Sequence, residues 1–444
     1  MSLSSLRNKG LLLVIFVSFI LPLGYSFFYR IQPVVDAQAY DRIAMNLVDG
    51  FGFKEDRARS YQFDTAIIRA GPGYEFFLAG VYKVFGHRYE VVWVLQALLH
   101  ALSAWLLFLI SRKIFFENGD KIGLIAAVFF GLHPDLIEIS AMLMTETLYL
   151  FLIILTVWFL VDNYQVQRRS LWYAITFGLV NGLAILTRPP VILFVPIIGV
   201  LCLYQKNYRG LFLFGLGLVI ALVPWVIRNY LIYHQFILTT LIGSYNLWVG
   251  NTLRSVGGQI SGGFNPLTAY TSVYGFFDLK SRASQEFFVF VFGYPLVFLK
   301  LCFLRFIRFF SLIRPMGFWF YQSGVRQILF VAFSVLTEGV LFFMGFSGLF
   351  FSFREKKPLH YTLVILAFTS PIVLLPAVVE SRYRFQVYPF LAIFSGYALI
   401  SWYHNWGFIK KNILGVGIFL FTVSLIDVVQ SWDLILERWH LFIS

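Results

Sequence analysis

Charge is what this sequence has least of. Only 13% of its 444 residues are Asp, Glu, Lys or Arg, whereas 59% are hydrophobic and the mean hydropathy is +0.77. Soluble domains carry about a quarter charged residues, so a soluble globular fold is excluded. Cysteine is nearly absent as well. Cys202 falls in an apolar run and Cys302 in an aromatic-rich stretch, which supports neither a disulfide framework nor metal-ligand spacing. The Gly- and Asn-rich stretch from Gly243 to Pro266 lacks the Gly-Lys-Ser/Thr ending of a phosphate loop, which argues against a nucleotide site. No internal repeat is visible, which argues against a transporter built from two matching halves.

What the chain has instead is long apolar runs. About eleven are long enough to cross a hydrocarbon core, near 11–29, 91–111, 122–138, 143–161, 171–187, 189–204, 211–232, 328–352, 361–379, 385–403 and 413–430. The count rises to thirteen if 285–327 holds further spans. The first run contains Pro22 and no small-residue cleavage site, so it reads as a retained span and not a signal peptide. The expected fold is an all-α polytopic membrane protein, with residues 1–444 forming one membrane-embedded domain.

Short loops carrying Arg7 and Lys9, Arg112 with Lys113 and Lys121, Arg168 and Arg169, Lys206 and Arg209, Arg354 with Lys356 and Lys357, and Lys410 with Lys411 share one side. The positive-inside rule makes that side cytoplasmic. Two long segments, 30–90 and 233–327, then lie outside. The first should form two helices along the membrane, about 36–49 and 72–86, joined by the polar stretch Lys54 to Ser60.

Asp36 is the first candidate site residue. At helical spacing Asp36, Tyr40, Ile43 and Leu47 form one stripe, so a carboxylate heads an otherwise apolar face. Burying such a group without partners costs several kcal/mol or more, which points to a site. Glu146 poses the same problem at the outer mouth of a span. His133, Asp135 and Glu138 lie near it, His133 reading as a structural histidine before a metal ligand.

The net charge of +13 has a topological part and a second part that topology does not explain. Arg69, Arg188, Arg228, Lys300, Arg305, Arg308, Arg314, Arg382 and Arg384 all fall outside, which suggests an anionic ligand. These cations are interleaved with spans, so lipid phosphate suits them better than nucleic acid. The aromatic-rich stretch from Gln285 to Arg314 can line a groove for a prenyl chain or lie as an interfacial helix or further spans.

The order Asp36-x3-Tyr40, Arg69-x2-Pro72-Gly73-Tyr74, Thr145-Glu146-Thr147-Leu148, Gly182-Leu183-Ala184-x2-Thr187-Arg188-Pro189, Pro224-Trp225-x2-Arg228-Asn229-Tyr230, Gly250-Asn251 and Arg382-Tyr383-Arg384 resembles the bacterial membrane-embedded C-type glycosyltransferases. Within them it is most similar to the polyprenyl-phosphate-sugar enzymes related to protein O-mannosyltransferases and to the lipid A aminoarabinose transferase. The resemblance implies that Asp36 is the catalytic aspartate of the first external loop and that Glu146 matches the acidic position of the second. It places Arg69 near the donor phosphate and makes Arg382 and Arg384 a late basic motif, with Arg188 and Arg228 as further phosphate contacts. Tyr40, Tyr74 and Asn251 become substrate-loop residues.

The implied donor is a polyprenyl-phosphate sugar, and the implied acceptor a glycan, lipid or protein hydroxyl. The implied location is the bacterial inner membrane, with the site on its extracytoplasmic face. Gly71 and Glu75 stand where relatives often carry proline, and no large soluble domain follows the last span. The lumenal domain of eukaryotic protein mannosyltransferases is also missing, which counts against a protein acceptor.

The residues support the same chemistry independently. A phosphate leaving group calls for cations more than for a general acid, and Arg69, Arg382 and Arg384 can supply them. An acceptor hydroxyl needs a base on the opposite side of the anomeric carbon, and Asp36 is the candidate. In-line attack would invert that centre. No cofactor is required, and a divalent metal can bind only if the fold brings Asp36 and Glu146 together. The competing readings are a polysaccharide polymerase or ligase using a diphosphate-linked donor, and a lipid-linked-sugar flippase.

Overall fold

A bilayer core offers no water to backbone N–H and C=O groups, so a long apolar segment satisfies them within a helix. Each of the eleven expected runs is helical in the structure, a computed structural model that describes residues 3–165, 170–253, 255, 266–313, 324–404, 406–432, 435 and 436. Arg168, Arg169, Arg314 and part of the Gly- and Asn-rich stretch, 254 and 256–265, lie outside the described residues. The chain is an all-α, multi-pass membrane protein, with no strand among the described residues.

The first half runs α1 (Leu3–Tyr29), α2 (Asp36–Val48), α3 (Pro72–Phe85), α4 (Tyr89–Ile114), α5 (Gly119–Gly131), α6 (Pro134–Ser140), α7 (Thr145–Gln165), α8 (Leu171–Thr187), α9 (Phe194–Tyr204) and α10 (Tyr208–Tyr233). The second continues α11 (Ile242–Gly250), α12 (Pro266–Tyr274), α13 (Leu279–Gly293), α14 (Pro295–Phe310), α15 (Val325–Ser352), α16 (Pro358–Leu374), α17 (Tyr388–His404) and α18 (Trp406–Gln430). The helices α2 and α3 match the expected pair in the first external loop within a residue.

The span count differs from the expected eleven. Among the described residues, seven helices are individually long and apolar enough to cross: α1, α4, α7, α10, α15, α18, and α17 with the 3₁₀ turn before it. The run at 122–138 is a broken pair, α5 and α6, bent by 57° just before Pro134. Those at 171–187, 189–204 and 361–379 are short apolar helices. A second broken pair, α13 and α14, turns by 106° between Gly293 and Pro295, so the spans number up to nine if each pair crosses once. Proline removes a backbone donor and clashes with the preceding turn, which accounts for both breaks.

Helices in lipid associate by close packing, because lipid tails are as apolar as leucine. Gly178 of α8 and Gly217 of α10 show it. A Cβ on either would lie 2.0 Å from a carbonyl oxygen of the other helix, that of Phe214 or Ile175. One buried apolar cluster runs from Ile31 to Val423, and a smaller one joins Ile67, Tyr233, Trp248, Phe276 and Leu279 outside it.

The basic stretch on α14 does not form one open charged face. Lys300 is exposed, but Arg305 and Arg308 are buried. Arg305 donates to the Leu375 carbonyl (2.9 Å) and to the Gly250 carbonyl at the end of α11. Helix C-terminal carbonyls lack intrahelical donors and carry partial negative charge, so they suit a buried cation. Arg308 stands 3.7 Å from Asp427 of α18. These arginines tie helices together.

Candidate active site

Asp36 is the first residue of α2, where the unpaired N–H groups of the helix favour a carboxylate. The turn before it is strained, for Val35 takes a φ of 50°, a costly conformation for a β-branched residue. The stripe expected from the sequence is present, with Tyr40 and Ile43 buried below Asp36. Asp36 itself keeps 24% of its side chain exposed, at the head of that face.

Two arginines distant in sequence reach it. Arg69 Nη1 donates to Asp36 Oδ1 (3.2 Å), and Arg382 Nη2 donates to Asp36 Oδ2 (2.7 Å). Burial opposes ionisation of Asp36, but Arg382, followed by Arg69 and Arg188, outweighs it and holds the carboxyl below its ordinary value.

Arg69 is positioned from both sides. Its Nε and Nη2 donate to Glu55 (2.7 to 3.0 Å), and Thr240 Oγ1 donates to its backbone carbonyl (2.8 Å). The next turn fits only because glycine is there: a Cβ on Gly71 would lie 2.2 Å from the Leu186 carbonyl oxygen, and one on Gly73 would lie 2.5 Å from Thr187 Oγ1. The start of α3 is thereby pressed against the end of α8, where Arg188 follows.

Arg188 Nη1 donates to Glu146 Oε1 (2.9 Å), with its guanidinium over the Tyr383 and Tyr149 rings. Glu146 is in the first turn of α7 and is 1% exposed. Arg382 links the two acids. It lies in the 3₁₀ turn Ser381–Val387, with Nε 3.0 Å from Glu380 and 3.7 Å from Glu146. Asp36, Glu55, Glu146 and Glu380 thus share Arg69, Arg188 and Arg382. Arg188 has one of its five N–H groups on Glu146, leaving donors of fixed geometry for an anion.

Other candidates fall elsewhere. Arg384, two residues beyond Arg382, is 1% exposed and paired with Glu338 of α15, and it also donates to the Arg308 and Ser311 carbonyls. Residues two apart in a 3₁₀ helix point roughly 120° away from each other, so Arg382 and Arg384 face different partners. Arg228 stands among Phe53, Tyr61, Trp225 and Tyr233, with ring centroids 4.9 to 5.7 Å away, and donates to the Phe53 carbonyl. Asn251 joins Arg305, accepting from Nη1 at 3.2 Å. Tyr40 and Tyr74 pack edge to face at 5.8 Å, and Tyr74 donates to Gln96 (2.8 Å).

The fold brings Asp36 and Glu146 to the same guanidinium, which therefore bridges the two acids. Among the described residues, no three His, Cys, Asp or Glu side chains gather as a metal-binding group. His133 lies against the Tyr388 ring (4.8 Å), Asp135 accepts from Ser334, and Glu138 accepts from Tyr25 (3.2 Å). Reading the sequence missed Glu55 and Glu380. Glu380 was signalled by standing two residues before Arg382, whereas Glu55 had only its place in a polar stretch.

A family model described as dolichyl-phosphate-mannose-protein mannosyltransferase matches residues 69–228. No curated protein matches the sequence. Among solved structures, the apo oligosaccharyltransferase of Archaeoglobus fulgidus superposes with a TM-score of 0.51 at 15% identity, over 97% of this chain and 55% of that one. AglB of the same organism, in complex with an inhibitory peptide and a dolichol-phosphate, gives 0.51 at 14%, with the same coverage. ArnT from Cupriavidus metallidurans bound to undecaprenyl phosphate gives 0.49 at 15%, over 90% of this chain and 61% of that one. The chain thus spans somewhat over half the length of these proteins. The family match is confined to Arg69–Arg228, and the superpositions with the archaeal oligosaccharyltransferase show a similar fold.

Proposed function

We propose that the protein transfers a sugar from a polyprenyl-phosphate donor to a hydroxyl acceptor on the extracytoplasmic face of the bacterial inner membrane, inverting the anomeric centre. The observation that carries this reading is Asp36 held between Arg69 and Arg382, where a partly exposed carboxylate meets guanidiniums at one end of an apolar helical bundle. The description of the matched family names a lipid-phosphate-linked sugar, and the archaeal neighbour of the same fold is bound to dolichol-phosphate.

In this reading Asp36 accepts the proton of the acceptor hydroxyl as its oxygen attacks the anomeric carbon. The bond from that carbon to the phosphate oxygen breaks, and the electron pair stays on the phosphate. Arg69, Arg188 and Arg382 stabilise the charge that develops there, the contribution expected of pre-placed donors in a site of low dielectric. Glu146 and Glu380 hold Arg188 and Arg382 in place. A phosphate can draw the guanidiniums partly away from these acids and so leave Asp36 freer to act as a base.

Purified protein in proteoliposomes, given a panel of polyprenyl-monophosphate and polyprenyl-diphosphate sugars with lipid, glycan and peptide acceptors, tests the reading. The expected result is transfer from a monophosphate donor to give a product of inverted configuration. Transfer from diphosphate donors alone, or lipid-linked sugar flux without transfer, would overturn it.

A further inference from the structure

Glu75 lies on the buried face of α3, six residues after Arg69, and is 0% exposed. Neither of its carboxyl oxygens meets a hydrogen-bond partner on another of the described residues, and the one donor that acts on them is its own backbone N–H. A fully buried carboxylate in that position would pay a desolvation cost with nothing to offset it, whereas a neutral acid would not. The charges acting on Glu75 are Arg69 and Asp36, the central pair of the site. Tyr40 of α2 and Tyr74 of α3 are its titratable neighbours, and Glu146 of α7 acts on both tyrosines. Gln96 of α4 and Thr187 of α8, which bound the same region, are uncharged.

The charge balance of the site points the same way. Among the described residues, Asp36, Glu55, Glu146 and Glu380 already share three guanidiniums, those of Arg69, Arg188 and Arg382. A fifth negative charge beside Arg69 would oppose an anionic donor. Resting on the function proposed above, we propose that Glu75 is a positioning residue of the transfer site that acts as a neutral acid, leaving Arg69 to Asp36 and to the donor phosphate. Burial pushes its carboxyl up to about 8, against the pull of its own backbone N–H and of Arg69. Ionised Glu75 competes with Asp36 for Arg69 and repels the phosphate.

Infrared spectroscopy of the purified full chain reads the proton directly. The carbonyl band of a buried protonated carboxyl is expected at pH 7, fading by about pH 9 to 10 and missing in Glu75→Gln. In parallel, affinity for polyprenyl phosphate alone is measured at pH 7 and pH 9. Wild type should lose about tenfold, and Glu75→Gln, which keeps the shape of the neutral acid, less than twofold. Glu75→Met serves as a second uncharged variant if the amide folds poorly.

A protein without the band at pH 7, or variants that lose affinity with pH as wild type does, would overturn the proposal. If polyprenyl phosphate binds but no sugar is transferred, the proposed function fails while these two measurements still decide the role of Glu75. A protein that bound no polyprenyl phosphate at either pH would overturn both.

Discussion

Asp36 and Arg382 stand 346 positions apart in the chain and 2.7 Å apart in space. Their bond joins the start of the first external helix to the turn between α16 and α17, so the site is complete only when nearly the whole chain has folded. Asp36→Asn keeps the shape but only one of the two arginine contacts, since its amide nitrogen cannot accept from a guanidinium, and it removes the proposed base. Turnover should fall by about 10²- to 10⁴-fold, with little change in affinity for polyprenyl phosphate. A steady-state assay beside a lipid-phosphate binding measurement separates the two effects, and turnover equal to wild type would remove Asp36 from the chemistry.

The pH dependence of the proposed base has a definite sign. Asp36 titrates below its ordinary value in the folded protein, chiefly because Arg382 outweighs burial. Its contribution to stability is therefore fully present above the unfolded carboxyl value and lost as pH falls through the lower folded one. The acid limb of kcat/KM should lie below the ordinary carboxylate range. Arg382→Gln, which removes the largest attractive contribution, should move that limb upward. A limb that stays in place would mean that another group sets it.

Two glycines on α3 make a controlled pair. A Cβ on Gly73 would come within 2.8 Å of the Thr187 backbone nitrogen, whereas one on Gly80 would meet nothing within 4 Å. Gly73→Ala must push α3 away from α8 and carry Arg69 with it, at a cost of about 1–3 kcal/mol and with a loss of activity. Gly80→Ala should be neutral or stabilise by about 0.5–1 kcal/mol, as alanine does inside a helix. Melting temperatures in detergent, read beside transfer rates, check both.

Much of this was legible in the sequence because the membrane imposes simple rules. Apolar length marked the helices, and the period of Asp36, Tyr40 and Ile43 marked the buried face of α2. Asp36, Arg69, Glu146, Arg188 and Arg382 all stand out in the sequence, and the fold places them together. What was not legible is where a side chain points once the backbone departs from an ideal helix. The 3₁₀ turn at 381–387 separates Arg382 from Arg384, and the 106° bend between α13 and α14 turns Arg305 inward. Nor does charge alone reveal a partner, so Glu55 and Glu380 became part of the site only through distances.

Arg384 provides the sharpest contrast between a cation that holds the fold and one that serves the site. Its partner Glu338 is 0% exposed, and the pair has no water to fall back on when one member is lost. Arg384→Met takes the guanidinium away from a buried carboxylate and should cost about 3–5 kcal/mol. The double substitution Glu338→Leu with Arg384→Met removes both charges at similar volume, so it should recover most of that loss, although the Arg308 and Ser311 carbonyls lose their donor. Transfer per folded molecule should stay near wild type in the double variant. Arg69→Met should behave in the opposite way, retaining the fold more readily while losing donor affinity, because its guanidinium is part exposed and faces Asp36. A double variant that folds normally yet fails to bind polyprenyl phosphate would return Arg384 to the donor site.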